Sequence, residues 1–273
     1  MSQSAFSFRA QPAAGAPSSA GRGAQSVLAI QGVWRGTEIS NPSVAVVPTG
    51  WALLDRELPG GGWPSQSLVE ILAPQPAILE WRLLGPALRQ VSERGGQVIV
   101  VGPPRQPYLP GLQQGGLDER RFVWIQAQTP AERLWATEQL VRANACGAII
   151  AWLPQARPEH IRRLQVCAQS CQGLVFLCRP EAVRVEPSAA PLRVWAGLRP
   201  DWALDLHILK RRGPPHARPI ALPSVPGALA SVLSPRQLHP GQLPGQLFSR
   251  EVPAHAVGRP VIALRPRRNP TLQ

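Results

Sequence analysis

From position 68 onward, short and continuous apolar runs alternate with longer stretches whose apolar residues recur every three or four positions. The runs 68–72, 97–101, 122–125, 147–152 and 173–178 are too short for helices and too uniformly apolar for strands with one wet face. They predict buried strands. Between the first two, residues 78–94 place Leu79, Leu83, Leu84, Leu88 and Val91 on one helical face, and Gly95-Gly96 ends the pattern. Thr129-Pro130-Ala131-Glu132 joins a threonine cap, a proline at the first helical position and a glutamate at the third, so a helix runs from there to about Asn144. Pro158 opens another, to about Gln172. Buried strands alternating with amphipathic helices predict an α/β fold, a mostly parallel sheet covered by helices on both faces. After Arg179 the pattern changes, and residues 193–198 and 202–210 read as a hairpin on the sheet edge.

The ends of the chain lack this rhythm. Residues 1–23 are rich in Ala, Ser, Gly and Pro and predict a disordered tail. Within 24–44, Ser26 caps a short helix over about 27–35, and Pro42 and Pro48 mark an extended lead-in. The folded domain is placed at 45–223, and 224–273 reads as an extended Pro/Arg-rich basic tail. Composition agrees with that division: 44% hydrophobic residues suffice for one sizeable α/β core, while 32 prolines and 24 glycines are more than such a core needs.

Charge adds a partner class. The formal net charge is +13, from 29 basic and 16 acidic residues, and Lys210 is the only lysine. Such a surplus favours contact with nucleic acid or an acidic partner. Cys146, Cys167, Cys171 and Cys178 lie in apolar or helical context without histidines at zinc-finger spacing, so they read as buried free thiols rather than metal ligands. No apolar run approaches membrane-spanning length and no signal-peptide core is present, which predicts a cytoplasmic protein with no membrane contact.

The stretch from Thr49 to Glu80 carries the sharpest chemical information. Thr49-Gly50 turns into a short helix ending at Leu58, then come Gly60-Gly61-Gly62 and the strand 68–72. In a P-loop protein the next residues would be glycine-rich and close with Gly-Lys-Ser/Thr, so that backbone N–H groups and the lysine cradle phosphates. Here they are Ala73-Pro74-Gln75-Pro76-Ala77-Ile78-Leu79-Glu80. Two prolines remove N–H donors, leucine stands where a cation is needed, and glutamate repels phosphate.

Over about 45–212 the chain resembles RecA-type domains, and most closely the ImuA family of RecA-like accessory proteins from bacterial mutasome cassettes. The resemblance rests on TGWALLDRELPGGGWPSQSLVEIL at 49–72, on FVWIQAQTPAERLWATEQLVRANACGAIIAW at 122–152, and on 173–179, placed like the strand leading to the second DNA-binding loop of RecA. Residues 204–222, with their Lys-Arg-Arg-Gly turn, resemble a late strand of the ImuA family. Departures fall where ATP chemistry would sit. Ile78, Leu79 and Glu80 take the Gly-Lys-Thr positions, Pro104 that of the water-activating glutamate, Trp152 that of the magnesium-associated aspartate, and Arg179 that of the phosphate-sensing glutamine. The resemblance therefore implies a domain without ATPase activity and without a nucleotide or metal cofactor, nucleoid-associated and supporting error-prone translesion synthesis after DNA damage. Its implied partners are an inactive Y-family polymerase homologue (ImuB), an error-prone C-family polymerase, RecA and DNA.

Candidate contacts with DNA or partners are the cations of the expected loops and tail. Arg157, Arg162 and Arg163 follow the fourth core strand, Arg179 and Arg184 begin the second-loop region, Lys210-Arg211-Arg212 end a late strand, and Arg265, Arg267 and Arg268 lie near the terminus. Phosphate contacts by such groups are salt-dependent and indifferent to sequence. The nine tryptophans favour packing over base stacking. QLPGQLF at 242–248 is a faint match to a sliding-clamp peptide, and direct clamp binding is not expected. Two other functions remain open: a division inhibitor of the SulA type, acting on the tubulin-like division protein, and a RecA-type ATPase. The first family is also a P-loop-less relative of the fold, with shorter chains.

Overall fold

The computed structural model describes residues 45–225, 232–234 and 237. The expected tail 1–23, the helix at 27–35, the clamp-like peptide and Arg265, Arg267 and Arg268 lie outside the described residues.

The described residues open with a small antiparallel pair, β1 (Val46–Val47) on β2 (Trp63–Pro64), with helix α1 (Ala52–Glu57) between its strands. The Thr49-Gly50 turn is built as read. Trp51 N–H donates to Thr49 Oγ1 at 3.0 Å, Thr49 N–H donates to Asp55 Oδ1 at 2.9 Å, and Gly50 sits at φ 83°. The core elements follow in order: β3 (Leu68–Ala73), α2 (Leu79–Glu93), β4 (Val98–Val101), α3 (Leu109–Gln114), β5 (Phe122–Ile125), α4 (Pro130–Ala143), β6 (Ala148–Trp152), α5 (Pro158–Ala168), β7 (Leu174–Pro180), β8 (Leu192–Leu198), β9 (Leu204–Lys210) and β10 (Ile220–Leu222). All eight strands from β3 onward form one sheet, ordered β5-β4-β6-β7-β3-β8-β9-β10. Every neighbouring pair from β5 to β8 is parallel, whereas β9 runs antiparallel to both β8 and β10. The α/β reading, with a mostly parallel sheet and helices on both faces, is thus the observed architecture.

Alternation along the strands assigns the two faces. Val69 and Ile71 of β3, Phe176 and Cys178 of β7, and Val194 of β8 join α1, α2 and Trp63 in one core, with Trp63 meeting Phe176 edge-on at 5.5 Å. Leu68, Val175, Leu177 and Ile149 face the other way, onto Val141 of α4 and Ile161 and Leu164 of α5. The capping box of α4 forms as its sequence predicts. Thr129 Oγ1 accepts from Glu132 N–H at 3.2 Å, the Glu132 carboxylate accepts from Thr129 N–H at 3.1 Å, and left-handed Asn144 (φ 49°) ends the helix.

Three features depart from the expectation. The late hairpin is not on the edge, because β8 pairs in parallel with β3 and the edge belongs to β10, a strand hidden among prolines. α3 forms inside the proline-rich loop after β4, with Pro110 in its first turn where a missing N–H costs nothing. Finally, α5 stops at Ala168, short of the expected 172.

Candidate functional site

The corner where β3 runs into α2 is where a P-loop would hold phosphates. There Ala77 adopts φ 65°, Ile78 is exposed, and Leu79 and Glu80 turn inward, each about 1% exposed. Glu80 Oε1 accepts from Trp152 Nε1–H at 3.0 Å, so the two positions expected for the hydroxyl and the aspartate of a magnesium site are bonded to each other. Trp81 packs on Trp152 with ring centroids 5.7 Å apart. Burial raises the Glu80 pKa; the backbone amide of Glu80 itself, the Trp152 indole and the amides of Ala77 and Ile78 lower it in part. Glu80 Oε2 has no hydrogen-bond partner among the described residues. Cys178, across from Trp152 in the sheet, has its thiol pushed well up by burial and by the Glu80 charge. Chemically, the N-terminus of α2 is occupied by the chain's own carboxyl group, in the place a phosphate would take. Pro104 lies away from it, exposed in the loop after β4.

A second buried group sits on the opposite face. Glu70, at the middle of β3 and fully buried, is bound at 2.9 Å by Arg179 Nη1 from β7 and at 2.7 Å by Arg193 Nε from β8. The remaining Nη groups of both arginines anchor neighbouring loops, while Arg179 Nε is buried without a hydrogen-bond partner among the described residues. Arg179 Nη2 donates to Ala156 O and to Glu186 Oε2, while Arg193 donates to the carbonyls of Val183, Arg184 and Glu186. This corrects the placing of Arg179 among surface cations: it is 4% exposed and spent on internal partners. The segment expected as a second DNA loop is instead a 3-10 turn, Glu181–Val185, tied to the sheet. Neither Glu70 nor Arg193 was singled out from sequence, although a glutamate inside an otherwise apolar strand was the available signal.

The other expected cations are scattered. Arg157 is exposed at the start of α5, beside a cavity it shares with Arg133 and His160. Arg162 and Arg163 are exposed further along α5, and Arg163 is paired at 2.8 Å with Glu138, which Arg142 also holds. Arg184 is exposed with its guanidinium 5.2 Å from the centre of the Trp195 ring. Lys210 Nζ donates to Ser188 O at 2.8 Å, and Arg211 is turned inward onto the Glu57 carbonyl and carboxylate. Of the Lys-Arg-Arg turn, Arg212 is exposed and has no ion-pair or hydrogen-bond partner among the described residues. All four cysteines are buried free thiols, and burial pushes Cys146 up to about 12. Of the tryptophans described, Trp63 and Trp152 are core residues and Trp135 is exposed. No helix among the described residues is long and apolar enough to cross a membrane.

Fold and site together define an α/β protein whose phosphate-binding corner is filled by its own side chains. No family model matches the chain. It is 27% identical over 112 residues to the cell division inhibitor SulA of Photorhabdus laumondii, 25% over 107 residues to that of Serratia marcescens, and 28% over 111 residues to that of Pectobacterium carotovorum. These matches cover 39–41% of this chain and 62–65% of the relatives, so the chain spans less than two thirds of the length of the proteins it matches. The similarity supports a relationship to the RecA/SulA-like proteins.

Proposed function

We propose that the chain is a non-catalytic RecA/SulA-like scaffold of the DNA-damage response, of the ImuA type, supporting error-prone translesion synthesis by binding polymerase partners and DNA. One observation carries the loss of catalysis: the buried bond between Trp152 and Glu80 at the position where nucleotide phosphates and magnesium would sit. A carboxyl group there repels phosphate and takes the space a nucleotide needs. A retained sheet with a refilled site leaves its surfaces as what the fold can offer. The similarity to SulA supports the superfamily, and the motifs at 49–72, 122–152 and 204–222 support the ImuA type within it.

The test is capture from DNA-damaged cells with the tagged full chain. The reading expects an ImuB-type polymerase homologue and a C-family polymerase to be retained, and the purified chain to hydrolyse no ATP above background. Absence of both polymerases from the captured material, or turnover abolished by substitutions near Leu79, would overturn it.

A second reading has its own observation, the identity to proteins named cell division inhibitor SulA. It expects the purified chain to block GTP-dependent assembly of the tubulin-like division protein at near-stoichiometric ratio. Assembly unaffected at excess chain would remove this alternative.

A further inference from the structure

The geometry points to a groove at the C-terminal edge of the sheet as a docking site for an acidic side chain, an aspartate or glutamate beside an apolar residue, on an extended segment of a protein partner. The cavity, of about 350 Å³, lies between the first turn of α4 and the first turn of α5, and Leu134, Leu153, Pro154, Arg133, Arg157 and His160 line it. Ligands of parallel α/β sheets collect at this edge, because the strand-to-helix loops there are free to shape a site.

The three basic groups differ in how they are held. Arg133 is fixed: its Nε donates to Ala127 O at 3.0 Å, and its stem lies so close to Gly102 that a Cβ there would fall 2.5 Å from Arg133 Cδ. Arg157 is free to adapt, with a side chain 76% exposed and only a 4.0 Å pairing with Glu159. His160 accepts the Arg157 backbone N–H through Nδ1 at 3.2 Å, which leaves Nε2 to carry the ring proton and to donate. A set of one fixed guanidinium, one mobile guanidinium and one imidazole donor suits a single carboxylate.

The surroundings favour a protein carboxylate over nucleic acid. Leucine and proline walls accept an apolar neighbour of the bound acid, and no Phe, Tyr or Trp lines the cavity for base stacking. Glu132 and Glu159, on the first turns of the same two helices, would repel a run of phosphates while leaving room for one carboxylate between the arginines. This inference deepens the reading of the chain as an interaction scaffold. Its test uses neither polymerase nor division protein, so the groove can fail while that reading stands.

The full chain is applied to an immobilised array of heptapeptides whose central residue is Asp, Glu, Asn or Gln and whose neighbours are varied between apolar and polar. The strongest peptides are then measured by fluorescence anisotropy. Central acids beside Leu, Ile or Val should bind, with the amide counterparts about tenfold weaker, the discrimination a charge-assisted hydrogen bond supports. Arg157→Glu should weaken the acidic peptide by about tenfold or more without lowering the melting temperature, since the side chain is exposed, and Arg157→Lys should keep most of the affinity. No preference for acids on the array, or binding indifferent to Arg157→Glu, overturns the assignment. So does a single-stranded oligothymidylate that displaces the peptide and itself depends on Arg157.

Discussion

Glutamine in place of Glu70 tests the account of the buried charges most directly. The carboxylate is fully buried and its two arginines have side chains only 3% and 8% exposed, at 2.9 and 2.7 Å. Glu70→Gln keeps the volume and one acceptor oxygen. It removes the charge, leaves two cations facing each other, and turns an amide N–H toward a guanidinium that cannot accept it. Breaking a buried ion pair by removing one partner costs about 3–5 kcal/mol, because the remaining charge is left uncompensated. For a domain of this size each kcal/mol moves the midpoint by about 2–4 °C, so the melting temperature should fall on the order of 10 °C. The assay is thermal unfolding of the full chain, with hydrogen exchange read at 181–186. A companion variant, Glu70→Leu with Arg179→Met and Arg193→Leu, removes all three desolvation costs and should recover much of the loss. It should also exchange faster at 181–186, where the carbonyls of Val183, Arg184 and Glu186 lose their donors. A Glu70→Gln midpoint within about 2 °C of the parent refutes the reasoning; so does a triple variant no more stable than the single one.

Four further outcomes follow. Glu80 has a folded pKa raised by burial, so the folded state holds its proton where the unfolded state has lost it. Stability is therefore lost as pH rises from the ordinary carboxylate range to the raised value and stays lowered above it; melting across that range should show Glu80→Gln gaining on the parent as pH climbs, and a constant difference would contradict the assignment. On the proposed DNA-binding reading, Arg212→Ala should weaken single-stranded DNA binding equally for all sequences and flatten its log–log salt dependence by about 0.7, measured by titration at several salt concentrations; no measurable binding by the parent chain would remove Arg212 as a DNA contact. Arg179→Ala should act through stability alone, and a change in salt slope without loss of midpoint would show that its guanidinium is accessible after all. Gly50→Ala places a Cβ 2.3 Å from Pro86 Cβ at φ 83°, so it should cost more than about 1 kcal/mol in chemical denaturation, and a neutral result would mean the turn relaxes freely.

What could be read in the sequence depended on whether the cause was local. Strands 68–72, 122–125 and 147–152 were legible because uniformly apolar runs of that length have few alternatives, and α4 because its capping residues are adjacent in the chain. β10 was not legible: three residues between prolines carry no period, and only pairing with Leu204 to Leu206 makes them a strand. The filled phosphate corner was half legible. The wrong residues at 78–80 and at 152 were visible one by one, but nothing along the chain said that Glu80 and Trp152 meet. Arg179 failed for the same reason, since an arginine at the end of an apolar strand looks like a loop cation until its partner, 109 residues earlier, is found. Arg133, fixed by a carbonyl and by Gly102, gave no sequence signal at all.

The side chains at the corner where β3 meets α2 are also coupled in a way that opposes building a phosphate site there. Leu79 is about 1% exposed within the core of the α2 face, so a lysine there would bury an ammonium group rather than present it to solvent. The adjacent Glu80 carboxyl is committed to Trp152, and removing Trp152 leaves the acid without its donor. A phosphate site here thus requires changing positions 79, 80 and 152 together, in addition to replacing two loop prolines by residues with N–H groups. A lysine at 79 introduced alone is a buried, unpaired charge costing several kcal/mol, a large share of the whole stability of a typical domain, and an aspartate at 152 introduced alone sets a second acid beside Glu80. Selection acting one residue at a time has no easy path across such intermediates. A chain in this state can still vary freely where substitutions cost little, on its exposed arginines and helix ends, and that is where its binding specificity is to be sought.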